Sequence, residues 1–360
     1  MTTRRLPDLV PLFLTLALGL GLAGCTGETQ TAAPSGLLTP RIAVELPEKY
    51  NTPDGMVLAP DGNIILSCPN FNNPAYPAVM LRIDPQDRVS ELIRLPVHPK
   101  TKRVGPLGVD IGPDGHLYIA DNQSDWTETP SSRLLRVVMK DGKAVRCETL
   151  VEGFVQSNAV SVHGSYVYVT ETKLKPDATP LVSGVYRFRL DELDPAKPIH
   201  LEPGGADPHL LVTIETKNPE WRVGANGMGF DAQGNLYFCN FGDAQIIKVT
   251  FNEKGEVASK TVFAEGQGMA STDGIKFDPK TGDIYVADFV GNAVHKVDGR
   301  TGKVTTLARN GNTTGAGGAL DRPSEVCLRG RRLYVSNIDL PLGGNTYDPP
   351  HTISVIELPD

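Results

Sequence analysis

A pattern that returns about every fifty residues limits what this chain can become more than any other feature. Six segments share it: a short tripeptide, an apolar run, a turn, then a second run rich in β-formers. They are Pro53-Asp54-Gly55 before MVLAPDGNIILSC, Pro106-Leu107-Gly108 before VDIGPDGHLYIAD, and Ser157-Asn158-Ala159 before VSVHGSYVYVTE. Then come Ala225-Asn226-Gly227 before MGFDAQGNLYFCN, Thr272-Asp273-Gly274 before IKFDPKTGDIYVAD, and Pro323-Ser324-Glu325 before VCLRGRRLYVSN. The middle residues fall at 54, 107, 158, 226, 273 and 324, with gaps of 53, 51, 68, 47 and 51. Such a period, made of short strands and turns, suits one four-stranded blade of a propeller. D-G, Q-G-N, T-G-D and G-R between the two runs are hairpin turns. The chain holds 37 Gly and 29 Pro, and no long 3.6-residue apolar period runs through it, which argues against a layered α/β fold. The expected fold is therefore all-β: a six-bladed β-propeller over residues 39–360.

The two ends fit a closed ring. Arg41–Glu45 reads as a strand before the first motif and Thr352–Ile356 as one after the last. Their pairing would complete the last blade and leave no long open edge. The 68-residue gap contains an insertion, for which Lys173–Ser183 and Ile199–Val223 are the candidate loops.

The first residues read as a processing signal rather than as part of the fold. Arg4 and Arg5 precede an apolar run from Val10 to Leu22, which ends in Leu22-Ala23-Gly24-Cys25. The run is short for a membrane span, which takes about 20 residues. Its end resembles the lipobox of bacterial lipoproteins. That resemblance implies a signal peptide over 1–24, a lipid on Cys25, a flexible polar tether over 25–38, and an extracytoplasmic, membrane-anchored protein at the cell surface or in the periplasm. An ordinary secretory signal and an uncleaved anchor are the alternatives.

Loss of residues 1–24 removes Arg4, Arg5 and Asp8 and takes the formal charge from −7 to −8. An acidic chain of this kind is a poor partner for nucleic acid, and it carries no nucleotide-binding fingerprint. Cys68, Cys147, Cys239 and Cys327 are far apart, without a C-x-x-C pair, and are expected as thiols in strands. No G-x-S-x-G elbow is present, so a covalent serine route has no support.

In a propeller, one residue at the same register of each innermost strand points at the same spot. Here that register reads Asp54, Leu107, Asn158, Asn226, Asp273 and Ser324. Two carboxylates and two amides make an oxygen-only set that suits a hard divalent cation, calcium first, with magnesium, manganese or zinc as alternatives. Asp-Gly and Asn-Gly are also ordinary turn dipeptides. Each repeat, however, has its own hairpin turn several residues later.

Asn226-Gly227, Asp273-Gly274 followed by DIYVAD, and Asn158 one blade earlier resemble the gluconolactonase/regucalcin family, also described as luciferin-regenerating-enzyme-like. The likeness runs from about residue 40 to the end. It implies a divalent ion held by Asp54, Asn158, Asn226 and Asp273, hydrolysis of lactones or related esters, and Asp273 as base for the attacking water. Two departures stand out. The first-blade carboxylate is commonly Glu in that family and is Asp54 here. The sugar-lactone members tend to carry Arg where this chain has Gln156, which lacks a cationic grip and puts aldonolactone specificity in doubt.

Candidate walls for a small-molecule substrate lie at the ends of the second strands: Asn70, Asp121, Asn122, Glu171, Asn240, Phe241, Asp288, Phe289 and Asn337, together with Gln156. The same residue types also cap strands and make Asx turns. A reading of a different class is a non-catalytic surface propeller pinned by calcium, which binds a small ligand or a partner protein.

Overall fold

A computed structural model describes residues 36–359, and among them helix is confined to four three-residue 3-10 turns. The lipobox, Cys25 and most of the tether lie outside the described residues. Of the tether, Leu38 already donates a backbone hydrogen bond to Leu307 in blade five (2.7 Å).

Six antiparallel sheets make six blades. Their innermost strands are Met56–Leu58, Pro106–Ile111, Ser157–His163, Ala225–Phe230, Ile275–Phe277 and Pro323–Arg329. These strands contact one another in ring order, the sixth returning to the first. The ring closes as expected: Arg41–Leu46 pairs antiparallel with His351–Glu357 and forms the outer strand of blade six. The hairpin turn after each innermost strand has a glycine at positive φ (Gly62, Gly115, Gly164, Gly234, Gly282 and Gly330), where other residues would be strained.

The insertion in blade three is more regular than expected. Much of Lys173–Ser183 extends the hairpin of Tyr166–Lys175 with Leu181–Arg189. Within Ile199–Val223, Leu210–Thr216 is the outer strand of that blade, and Ile199–His200 adds a parallel edge to blade two. The four cysteines are free thiols, all in strands; Cys68, Cys239 and Cys327 are buried and Cys147 partly so.

No single central core exists. Each pair of neighbouring blades encloses its own apolar layer, because each face of a blade packs against the next. Tyr118, Leu134 and Phe154 of blade two meet Val167, Tyr186 and Phe188 of blade three. Met56, Leu66 and Leu81 of blade one meet Tyr334 and Ile353 of blade six. The apolar residues of the second runs supply most of these layers.

One irregularity recurs in all six blades. Every innermost strand carries an extra residue opposite its neighbour. In blade two the pairs Pro106↔Asp121 and Val109↔Ile119 leave Leu107 and Gly108 facing one residue. The same shift falls at Asn158-Ala159, Asn226-Gly227 and Ser324. In blades one and five hydrogen bonds show it: Asp54 N–H donates to Ser67 and accepts nothing back, since Ser67 N–H goes to Gly55. Asp273 and Gly274 share Ala287 in the same way. These are β-bulges, which re-aim side chains. The dipeptides are therefore neither hairpin turns nor regular strand.

The second residue of each bulge sits against the next blade. A Cβ on Gly227 would lie 2.3 Å from the Asp273 carbonyl oxygen, and one on Gly55 2.4 Å from that of Leu107. Gly227→Ala should therefore destabilise the protein by about 1–3 kcal/mol through overpacking. Gly311→Ala, where nothing lies within 4 Å, should change stability by less than about 0.5 kcal/mol. Urea unfolding midpoints of the two variants test this; equal midpoints would refute tight packing of the ring.

Candidate metal centre

The six bulges turn their first residues toward one cavity of about 470 Å³. Asp54, Leu107, Asn158, Asn226, Asp273 and Ser324 all line it, so the register expected from the sequence converges at the ring axis. Asp54 is 9% exposed and Asn226 4%, whereas Asn158 and Asp273 retain more exposure.

The electrostatics of this centre are strained in the absence of a counter-charge. Burial pushes the Asp54 carboxyl up to about 7, with the Glu325 charge adding to the rise and a hydrogen bond from Ser324 opposing it. Asp273 is pushed well above the ordinary carboxylate range by burial, then by Asp54 and Glu325, against a hydrogen bond from Asn226. Glu325 lies at the second bulge position of blade six, beneath the centre, with Lys276 Nζ 3.5 Å from its carboxylate. Lys276 thus pairs with Glu325, while Lys173 lines the cavity above.

That environment is what a divalent cation would relieve: two carboxylates match its charge, and two amide carbonyls supply further oxygen ligands. Among the described residues, no group of three or more His, Cys, Asp or Glu stands ready to hold a metal ion. The centre is a mixed carboxylate–amide set, open on the cavity side.

The sequence-derived walls divide cleanly. Asn122, Gln156, Phe241 and Phe289 line the cavity. Asp121, Glu171 and Asn240 do not. Asp121 is fully buried; it pairs with Arg133 at 2.7 Å and accepts from Gly105 N–H at 2.8 Å. Glu171 accepts from the backbone N–H groups of Val155 and Gln156 (2.6 and 2.7 Å). Asn240 accepts from Thr216 Oγ1 and donates to the Glu215 carbonyl. Asn70, Asp288 and Asn337 behave like Asp121: each accepts from the N–H of the segment that leads into its own blade's innermost strand. These strand-end groups are clamps that hold the bulges in place, not walls.

The residue after the clamp is the one that reaches the cavity, as strand alternation requires. Phe71, Asn122, Phe241, Phe289 and Ile338 follow Asn70, Asp121, Asn240, Asp288 and Asn337 and all line it. The sequence names both the clamp and the residue after it in blades two, four and five, and only the clamp in blades one and six, where Phe71 and Ile338 reach the cavity. Asp125, Trp126 and Leu340, from loops without a repeat, also line it, as do Lys173, at the end of the strand Tyr166–Lys175, and Trp221, both within the insertion segments read from the sequence.

The lining is lopsided. Phe241, Phe289 and Ile338 form a buried apolar cluster with Trp221, Val223 and Leu340 on the side of blades four to six. Asn122, Asp125, Gln156, Asn158 and Lys173 make the side of blades two and three polar. Gln156 lines the cavity, with its Oε1 buried and without a hydrogen-bond partner.

No protein-family model and no curated protein matches the chain. Solved structures do share its fold. Regucalcin from Agrobacterium tumefaciens, described as a calcium-binding protein, aligns with a TM-score of 0.59 at 15% identity over 89% of this chain and 96% of that one. A gluconolactonase from Xanthomonas campestris aligns with a TM-score of 0.54 at 16% identity over 92% and 99%. A PQQ-bound aldose sugar dehydrogenase from Streptomyces coelicolor aligns with a TM-score of 0.56 at 16% identity over 90% and 99%. Gluconolactonase and regucalcin are thus among the structural neighbours, as the residues suggested. At these identities the likeness establishes a six-bladed propeller and leaves the chemistry to the site.

Because burial raises the Asp54 carboxyl to about 7 in the folded state, its stabilising effect is complete only below the unfolded value of about 4 and is lost as pH rises through about 7; Asp273, raised in the same direction, adds to the loss with rising pH. In chelator, the melting temperature should fall by several degrees between pH 5 and pH 8. Asp54→Asn should flatten that fall, and calcium at pH 8 should reverse it. A flat profile for the chelated wild type would show that the pair carries no buried repulsion.

Proposed function

We propose that the chain is a divalent-metal-dependent hydrolase of lactones or related esters. The observation that carries this reading is the convergence of two carboxylates and two amides at the base of an open cavity with a lopsided lining. Asp54, Asn158, Asn226 and Asp273 would hold the ion, calcium by ligand chemistry, with magnesium, manganese or zinc as alternatives. A bound divalent cation supplies Lewis-acid polarisation of a carbonyl.

The protein's own residues do the rest. Asp273 combines burial with access to the cavity, the placement a base needs to take a proton from attacking water. Gln156 adds a polar, uncharged group to the cavity wall. Asn122 and Lys173 present polar contacts on the same side, while Trp221, Phe241 and Phe289 receive an apolar portion and exclude water from it. The apolar side favours lactones with aliphatic or aromatic substituents over polyhydroxylated sugar lactones.

The described neighbours include both a gluconolactonase and a quinone-bound dehydrogenase, so the fold alone does not choose. The alternative reading, a calcium-pinned binding module, shares the centre but requires no reaction.

We also propose that Cys25 is lipidated and tethers the propeller to a bacterial membrane on its extracytoplasmic side. Cys25→Ala should abolish metabolic labelling with a fatty acid.

The deciding assay is acid release from aliphatic, aromatic and sugar lactones, with and without chelator. Hydrolysis should require metal, fall about 10³-fold or more in Asp273→Ala, and show a KM raised about tenfold for aromatic lactones in Trp221→Ala with kcat little changed. Silence across the panel from protein that still binds and is stabilised by calcium would favour the binding module.

A further inference from the structure

Blade six contains a second concentration of oxygen atoms, away from the axis, whose burial the fold does not account for. Asp321 is 1% exposed, and neither of its carboxylate oxygens has a hydrogen-bond partner. Its neighbour Arg322 does not serve it: that guanidinium bonds the Phe289, Val290 and Gly343 carbonyls at 3.2, 3.3 and 2.7 Å. Two side chains approach Asp321, the Asn345 amide and another carboxyl, Asp339, itself 1% exposed. Asn345, 8% exposed, donates its Nδ2 to Asp339 Oδ1 (3.0 Å) and to the Leu340 carbonyl (3.2 Å). That leaves Asn345 Oδ1 buried and without a donor.

Buried polar atoms are almost always satisfied, and three orphaned acceptors in one place call for a missing donor or cation. The surrounding charge points to a cation. Asp348 adds a third acidic group near Asp321. Of the basic side chains here, Arg322 acts on Asp321 through its charge while its guanidinium bonds backbone carbonyls, and His351 has its Nδ1 3.6 Å from Asp339 Oδ2 and its Nε2 engaged with Glu48 at 2.8 Å. Tyr347 also bonds Glu48.

We propose that Asp321, Asp339 and Asn345 form a second site for a hard divalent cation, distinct from the centre at Asp54 and Asp273. Two carboxylates and an amide oxygen, completed by water or backbone carbonyls, are ligands of the calcium type.

The place of the site gives it a role. Asp321 stands three residues before Ser324, on the segment that leads into the innermost strand of blade six. Asp339 lies between Ile338 and Leu340, both of which line the central cavity. Its carbonyl accepts from Asn72 Nδ2 of the blade-one loop at 2.8 Å. A cation there joins the segment before Ser324, the 338–342 wall and the loop at Asn345, and fixes the apolar side of the cavity without touching what binds in it. This does not depend on the reaction proposed for the centre.

Calcium binding to the chelator-stripped mature chain tests the assignment. Bound calcium per chain is counted by equilibrium dialysis at pH 7.5 for wild type, Asp321→Asn and Asn345→Ala, with Asp273→Asn marking the centre. Each blade-six variant should bind one calcium fewer than wild type, and Asp273→Asn should lose a different one. Calcium should slow amide hydrogen exchange across 338–348 at least tenfold in wild type and in Asp273→Asn, and not in Asp321→Asn. Equal stoichiometry in wild type and both blade-six variants, or no calcium-dependent protection of that loop, overturns the proposal. A folded Asp321→Asn that is more stable than wild type with undiminished calcium binding also overturns it and identifies a carboxyl pair sharing a proton instead.

Discussion

The centre of this molecule depends on one extra residue in each innermost strand. A regular strand would send consecutive side chains to opposite faces. The bulge breaks that alternation, so that its first residue turns toward the axis while the second presses on the next blade. The second residue must then be small: Gly55, Gly108, Ala159, Gly227 and Gly274 fill that position in five blades. Their small size lets backbone pair across blades, with Gly227 N–H bonding the Asp273 carbonyl at 3.1 Å and Gly274 N–H bonding that of Ser324 at 2.8 Å. Asp273 and Ser324 are thus tied through their own carbonyls to the neighbouring blade. Blade six departs from the rule with Glu325, which sends a third carboxylate beneath the centre and requires Lys276 beside it.

Rigidity at the axis comes from farther out. Six apolar layers press the blades together in a closed circle, so no blade can move without opening two layers. Clamps at the strand ends then fix the segments that enter each bulge, most firmly at Asp121, whose carboxylate is held by Arg133, Gly105 and Gln123. A scaffold of this stiffness can hold two like charges together at a cost that a looser site would relax away. Such preorganisation is what makes the Asp54–Asp273 pair receptive to a cation.

The sequence carried the fold and the register because both repeat. A fifty-residue period aligned Asp54, Asn158, Asn226 and Asp273, and the structure puts all four at the axis. It could not show the bulge, since Asp-Gly and Asn-Gly read equally well as turns. The strand-end residues Asp121, Glu171 and Asn240 looked like walls for a related reason: polar residues at one register suggest shared purpose, and sequence does not say whether that purpose faces backbone or cavity. The side chains that do face the cavity come one residue later, or from Trp126, Trp221 and the 338–342 loop, where nothing repeats. Asp321, Asp339 and Asn345 are separated by 18 and 6 positions and belong to a single blade, so no comparison between repeats could bring them together.

This contrast separates two kinds of constraint within one cavity. Its floor is built six times over from the same bulge, and a change there disturbs contacts with both neighbouring blades. Its upper walls are built once, from loops that leave the blades and return. Trp221 reaches the cavity on a loop whose Asn218 is held by the Gly242 carbonyl and the Asp243 carboxylate. The 338–342 wall is held by Asn72, Arg322 and the acidic cluster. The Trp221 loop is thus held by Gly242 and Asp243, whereas the 338–342 wall is fastened in part to the segment that enters the bulge of blade six, through Asp321 and Arg322. A propeller with this division can keep the oxygen-bearing groups at its base and change the molecule it accepts by rebuilding only the loops above.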